Sequence, residues 1–156
     1  MRVIGIDPGF GILGWAVIES NLKVIDYGTV ETSPDLPIDE RLFAIHSEIS
    51  SILERYRPEC AVIEKLFFSK NITTAIDVSR ATGVILLAFR EYALPYQEVT
   101  PMQVKQAVTG YGKADKKQMQ VMVQRLFNLK EIPKPDDAAD ALAIALCYSK
   151  TPVCKS

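Results

Sequence analysis

Three stretches dominated by β-branched, aliphatic and aromatic residues open the chain: "RVIGID" at 2–7, "ILGWAVIES" at 12–20 and "LKVIDYGTVET" at 22–32. Gly-rich and Ser-Asn segments separate them, so they read as three strands joined by hairpins. The period then changes. Between Pro37 and Pro58, Leu42, Ile45, Ile49, Ile52 and Leu53 recur at helical spacing, which predicts an amphipathic helix. "CAVIE" at 60–64 is a short apolar strand, 73–93 a long helix and "YQEVT" at 96–100 a further strand. Helices are expected near 101–109, 115–128 and 136–149. No internal repeat, low-complexity tract or linker interrupts this α/β layout.

Composition narrows the organisation. With 156 residues, 48% of them hydrophobic, the chain can bury one sizeable core, so a single domain is expected over 1–150 with an unstructured tail at 151–156. No apolar run approaches the ~18 residues of a membrane span, and the N-terminus begins as a strand rather than a leader, which points to the cytoplasm. Cys60, Cys147 and Cys154 are odd in number and contain no C-x-x-C, and they fit buried or free thiols rather than a disulfide framework.

A net charge of −1 hides an asymmetry. Residues 1–60 carry five basic and ten acidic side chains, whereas 101–134 carry Lys105, Lys113, Lys116, Lys117, Arg125, Lys130 and Lys134 against Asp115 and Glu131. The second stretch is either a solvated helical surface or a face for phosphates.

Within "GIDPGFGILG", Gly9, Gly11 and Gly14 spell the G-x-G-x-x-G of a dinucleotide site. That fingerprint needs its third glycine to open a helix that receives the pyrophosphate. Here a strand follows, and Asp7 would repel a pyrophosphate. The glycines instead fit a tight turn between antiparallel strands, permitting positive φ and leaving room beside Asp7.

The acids carry the chemistry. Asp7 ends the apolar run Val3-Ile4-Gly5-Ile6, and Glu64 ends Ala61-Val62-Ile63. If the helix between them makes a crossover, the two strands run parallel and their carboxyl ends form one ligand-binding edge. "DDAADALAIAL" then places Asp137 and Asp140 on one face of an otherwise apolar helix. Asp136 or Asp137 could serve as a helix-start residue, but Asp140 has no such explanation. Buried carboxylates are costly unless paired or metal-bound. Hard oxygen ligands select Mg²⁺, with Mn²⁺ able to substitute, and four carboxylates suit a pair of ions ~3.5–4 Å apart, the arrangement that clamps a phosphodiester in hydrolysis. The single histidine, His46, lies on the amphipathic helix and reads as structural, so no Ser-His-Asp triad or zinc site can be assembled.

These motifs together, "IGIDPGFGILGWAVIE", "VIEKLFFSKN", "ATGVILLAFRE", "VTPMQVKQAVTGYGKADKKQMQ" and "DDAADALAIAL", resemble the RuvC family of Holliday junction resolvases over nearly the whole chain. The resemblance implies a ribonuclease H-like fold with a five-stranded mixed sheet and a homodimer. It also implies Mg²⁺-dependent symmetrical nicking of four-way junction DNA, in concert with the branch-migration proteins RuvA and RuvB. It assigns the catalytic, metal-binding acids to Asp7, Glu64, Asp137 and Asp140; some members have histidine at the position of Asp137. It places an aromatic near the junction at Phe67, beside Phe68, Lys70 and Asn71 in a loop suited to bases and phosphates. Lys105 and Lys116 match basic positions that contact DNA, with Lys113 and Lys117 as neighbours.

The helix at 73–93 is apolar around much of its circumference, and Ala81, Gly83 and Ala88 would allow close approach of a second copy; the other reading is a central buried helix in a monomer. Two different functions share single features with the chain. A sugar kinase or actin-type ATPase shares D-x-G with a Gly-rich hairpin, but needs a second domain for which there is no room. A non-catalytic junction-binding module would have no use for four acids.

Overall fold

The computed structural model describes residues 1–66 and 71–150, with Ser149 and Lys150 described by backbone only. The expected tail at 151–156 lies outside the described residues. The elements are β1 (Arg2–Asp7), β2 (Ile12–Glu19), β3 (Val24–Glu31), α1 (Ile38–Tyr56), β4 (Cys60–Glu64), α2 (Ile72–Glu91), β5 (Tyr96–Val99), α3 (Pro101–Thr109), α4 (Lys116–Leu126) and α5 (Asp136–Ala145). The last helix tightens into a 3₁₀ turn over Leu146–Lys150 instead of continuing to 149.

The strands form one five-stranded mixed sheet in the order β3-β2-β1-β4-β5. The N-terminal meander is antiparallel, with Val3 opposite Ile18 and Asp7 opposite Gly14. Strand β4 returns parallel to β1 through the α1 crossover, and Ile6 faces Ile63 across that pair. Strand β5 adds parallel to β4.

Alternation along the strands sorts residues between two cores. Ile4, Ile6, Ala61 and Ile63 point to the layer built by Ile45, Ile49 and Leu53 of α1 and Ala81, Ile85 and Phe89 of α2. Val3, Cys60 and Val62 point the other way, to Val104, Val123, Ala141 and Leu142 of α3, α4 and α5. His46 Nε2 lies 2.7 Å from Glu91 Oε2 and ties α1 to α2, the structural role expected for it.

Local signals set the helix ends. Thr100 with Gln103, and Asp115 with Gln118, close reciprocal capping boxes at the starts of α3 and α4. Gly110, among the described residues the only glycine in the left-handed region, stops α3 at φ 76°. Gly9 and Gly11 therefore do not supply positive φ to the first hairpin. Gly9 is there because a Cβ would come within 1.8 Å of the Ile12 carbonyl oxygen, so the requirement is space.

Helix α2 departs from expectation in two ways. Among the described residues it is the one helix long and apolar enough to cross a membrane by length and composition, with a mean hydropathy of 1.5. In this fold it packs on the sheet. Ala81 and Ala88 are fully buried in that intramolecular contact, so of the three small residues only Gly83 lies on the outward side, where nothing stands within 4 Å of a Cβ position. Cys60 is disulfide-bonded, against the thiol expected for it, and Cys147 is buried.

Candidate active site at the carboxyl ends of β1 and β4

Asp7 and Glu64 each follow the last residue of the facing pair Ile6 and Ile63, on neighbouring parallel strands. Period-two alternation puts both side chains on the face of Val3 and Val62, the face covered by α5. Helix α5 lies close because two strand residues lack side chains. A Cβ on Gly5 would stand 2.3 Å from the Ala141 carbonyl oxygen, and one on Gly14 only 1.9 Å from that of Asp137. Both distances are far inside van der Waals contact, so the glycines let α5 rest on sheet backbone and carry Asp137 and Asp140 to Asp7.

The resulting charge density is visible in the acids. Burial first, then the carboxylates of Asp140, Glu64 and Asp137, push the Asp7 pKa up to about 8. Burial and then Asp140 push Glu64 up to about 7, against the pull of the Lys105 ammonium. Asp140 is raised mainly by burial, with Lys116 opposing. Each acid is therefore held where its charged form lacks compensation.

The donor set fits a hard divalent cation: oxygens only, half-buried, with more carboxylates than ammonium groups around them. As the side chains stand, no group of three or more His, Cys, Asp or Glu among the described residues is drawn together tightly enough to hold an ion. The raised Asp7 and Glu64 values register burial first and then repulsion from the neighbouring carboxylates.

The turn after Asp7 is held by α1. Thr32 Oγ1 donates to the Phe10 carbonyl at 2.6 Å and accepts from Arg41 Nε at 3.0 Å. The Arg41 guanidinium also stacks 3.8 Å above the Phe10 ring. This clamp fixes the backbone a few residues from Asp7.

Among the described residues, three clefts border Glu64, and two of them matter for the acids. One, of about 260 Å³, is lined by Glu64, Lys105, Asp115, Lys116 and Asp140. The other, of about 330 Å³, is lined by Pro8, Glu64, Lys65, Asn71 and Thr74. A cavity of about 340 Å³ beside Leu53, Arg57, Pro58 and Tyr92 lies at the opposite end of β4 and includes none of the four acids. Size alone is thus a poor guide to the chemistry here.

The structure brings Lys105 and Lys116 to the acids and leaves the exposed Lys113 and Lys117 outside that cleft. Asn71 borders the second cleft, but its Oδ1 accepts from the Thr74 amide at 3.2 Å as the N-cap of α2. Phe67, Phe68 and Lys70 lie outside the described residues. Sequence reasoning missed the contact between Lys116 Nζ and Asp136 Oδ2, 2.8 Å apart. That hydrogen bond holds the Asp136 carboxyl below its usual range and raises Lys116. No spacing rule could have found it, because the two residues belong to separate helices.

Comparison with known proteins agrees with this fold. The family model described as crossover junction endodeoxyribonuclease RuvC matches residues 3–148. The RuvC of Desulforamulus reducens is 51% identical over 153 residues, covering 96% of this chain and 94% of that protein. The RuvC of Caldicellulosiruptor saccharolyticus is 53% identical over 152 residues, covering 95% and 92%. The structure of Thermus thermophilus RuvC in complex with Holliday junction substrate superposes with a TM-score of 0.89 at 41% identity, covering 96% of this chain and 93% of that one. The five-stranded mixed sheet is accordingly the ribonuclease H-like fold that the motifs implied, and the chain belongs to the RuvC family of crossover junction endodeoxyribonucleases.

Proposed function

We infer that this protein is a Holliday junction resolvase, a structure-selective endonuclease that hydrolyses phosphodiesters of four-way DNA junctions. The observation that carries the reading is the gathering of Asp7, Glu64, Asp137 and Asp140 at one sheet edge, with Asp7 pushed up to about 8 by burial and by the other three. These four side chains would hold the divalent ions, which we assign as two Mg²⁺, Mn²⁺ substituting. When bound, the ions supply a water activated for attack and an electrophile for the leaving oxygen.

The chain's own groups do the rest. Lys105 and Lys116 line the cleft beside Glu64 and Asp140 and are placed to meet the phosphates that flank the scissile bond. The Arg41, Thr32 and Phe10 clamp keeps the Asp7 turn from shifting when the backbone is strained by DNA. Lys113 and Lys117 extend the basic surface away from the cleft, and Asn71 offers its remaining amide hydrogens beside Glu64. Phe67, Phe68 and Lys70 retain the junction-facing role assigned by resemblance.

A junction presents two equivalent strands, so a two-fold homodimer is the natural enzyme. The outward stripe of α2 supports it: Ile72 is 67% exposed and Leu87 52%, with Gly83 open between Ile76 and Leu87. One nuclease domain over 1–150 carries the activity, in the cytoplasm with its DNA. Coupling to RuvA and RuvB is carried by family membership alone.

The test is cleavage of a synthetic four-way junction in Mg²⁺. Asp7→Asn and Glu64→Gln proteins are expected to bind the junction and fail to nick it. Cleavage at the parent rate by either would refute the assignment.

A further inference from the structure

The Lys116 ammonium is held by a carboxylate that does not line the cleft. Asp136 Oδ2 lies 2.8 Å from Nζ, and the Gln120 side-chain amide donates to the other oxygen, Oδ1, at 3.1 Å. One carboxylate on the first turn of α5 is thus held by two residues of α4 at i and i+4 spacing. Lys116 and Asp140 border the same cleft, and Asp136 stands outside it.

The energetics of this contact separate position from stability. Lys116 is 61% exposed and Asp136 54%, and an ion pair in such surroundings adds little to folding. A free lysine with four side-chain bonds would spread its charge over many positions. Held by Asp136, it presents that charge at the rim of the cleft that Glu64 and Asp140 also border. Because Asp136 directly precedes Asp137, the helical turn that brings the acids to Asp7 also sets the lysine's place relative to them.

We propose that Asp136, backed by Gln120, is a positioning residue that fixes the Lys116 ammonium at the mouth of the acidic cleft for its encounter with the DNA backbone. The proposal rests on the reading of Lys116 as a phosphate-facing group. It adds a requirement at a position outside the four-acid set.

Limited labelling of the metal-free protein with trinitrobenzenesulfonate, followed by peptide mass spectrometry, reads the grip directly. Lys116 is expected to react more slowly than Lys113 and Lys117, and to react as fast as they do in Asp136→Asn. With junction DNA, Asp136→Asn is expected to lower kcat/KM by about 3- to 10-fold and Asp136→Glu to regain part of the loss. The unfolding midpoint of Asp136→Asn should stay within about 2 °C of the parent. In a Lys116→Ala background the same substitution should cost no more than about 1.5-fold further, since the residue it positions is gone. Equal labelling of Lys116 and Lys117 in the parent, a faster Asp136→Asn enzyme, or a loss that persists in full without Lys116 would each overturn the proposal. Undiminished cleavage by Lys116→Ala alone would instead overturn the phosphate-facing reading, which the labelling result does not touch.

Discussion

Gly14 of β2 lies directly against the first turn of α5: a Cβ there would stand 1.9 Å from the Asp137 carbonyl oxygen and 3.1 Å from Asp137 Cβ. The contact makes the position of two acids depend on a residue with no chemistry of its own. Gly14→Ala must push α5 outward, and overpacking of this kind costs about 1–3 kcal/mol. The variant should unfold at a lower temperature and lose about 10²-fold in junction cleavage, since Asp137 and Asp140 move with the helix. Calorimetry and a nicking assay check the two parts separately.

Asp7 and Glu64 stand at the ends of paired strands, and under the proposed function an amide at either place would weaken metal binding. Asp7→Asn and Glu64→Gln should each reduce the single-turnover rate at least about 10²-fold. Junction affinity measured by gel shift without added metal should hold at pH 7, where Asp7 is largely protonated, and rise above about pH 8, where the parent carries a negative charge near the phosphates that the variants lack.

The acids also set a pH dependence. Asp7 and Glu64 have native values of about 8 and about 7, above their ordinary 3.8 and 4.5. Between those limits the native state binds more protons than the unfolded chain, so stability without metal falls as pH rises from about 4 to about 8. Thermal melts in a chelator should show this decline. Added Mg²⁺ should raise the melting temperature more at pH 8 than at pH 5, where it competes with protons, and Asp7→Asn should stabilise the metal-free protein at pH 8.

Lys105 borders the cleft with Glu64 and lowers the pKa of that acid. If it meets one phosphate, Lys105→Ala should flatten the dependence of log K on log salt by about 0.9. Lys113 and Lys117 face solvent away from the cleft, so each should matter less to cleavage than to overall binding. Fluorescence anisotropy over a salt series distinguishes these cases.

On α2, Leu87 is 52% exposed on the stripe assigned to the homodimer. Leu87→Glu should leave the fold intact and give a monomer in sedimentation, with paired nicking of opposite strands lost before single nicking. An unchanged sedimentation coefficient would move the interface elsewhere.

The fold was legible wherever a local pattern is also a global one. Period-two runs gave β1, β2 and β4, helical spacing gave α1, and reading that helix as a crossover made β1 and β4 parallel neighbours, as the structure has them. The same reasoning put Asp7 and Glu64 together, since equivalent positions at the ends of paired strands must be adjacent. Asp137 and Asp140 were visible as charges on an apolar helix. What the pattern could not convey was which side of an element a small residue faces. Ala81 and Ala88 pack inward rather than toward a second copy, and the first hairpin's glycines serve close approach rather than positive φ.

Sequence by itself thus determined the elements, their pairing and the kind of chemistry, because backbone periodicity and burial of charge depend on neighbours a few residues away. Only the tertiary structure decided how near α5 lies to the sheet and that Lys116 is held by Asp136. Those facts depend on atoms of different elements coming into contact, at distances set by packing that no spacing along the chain encodes.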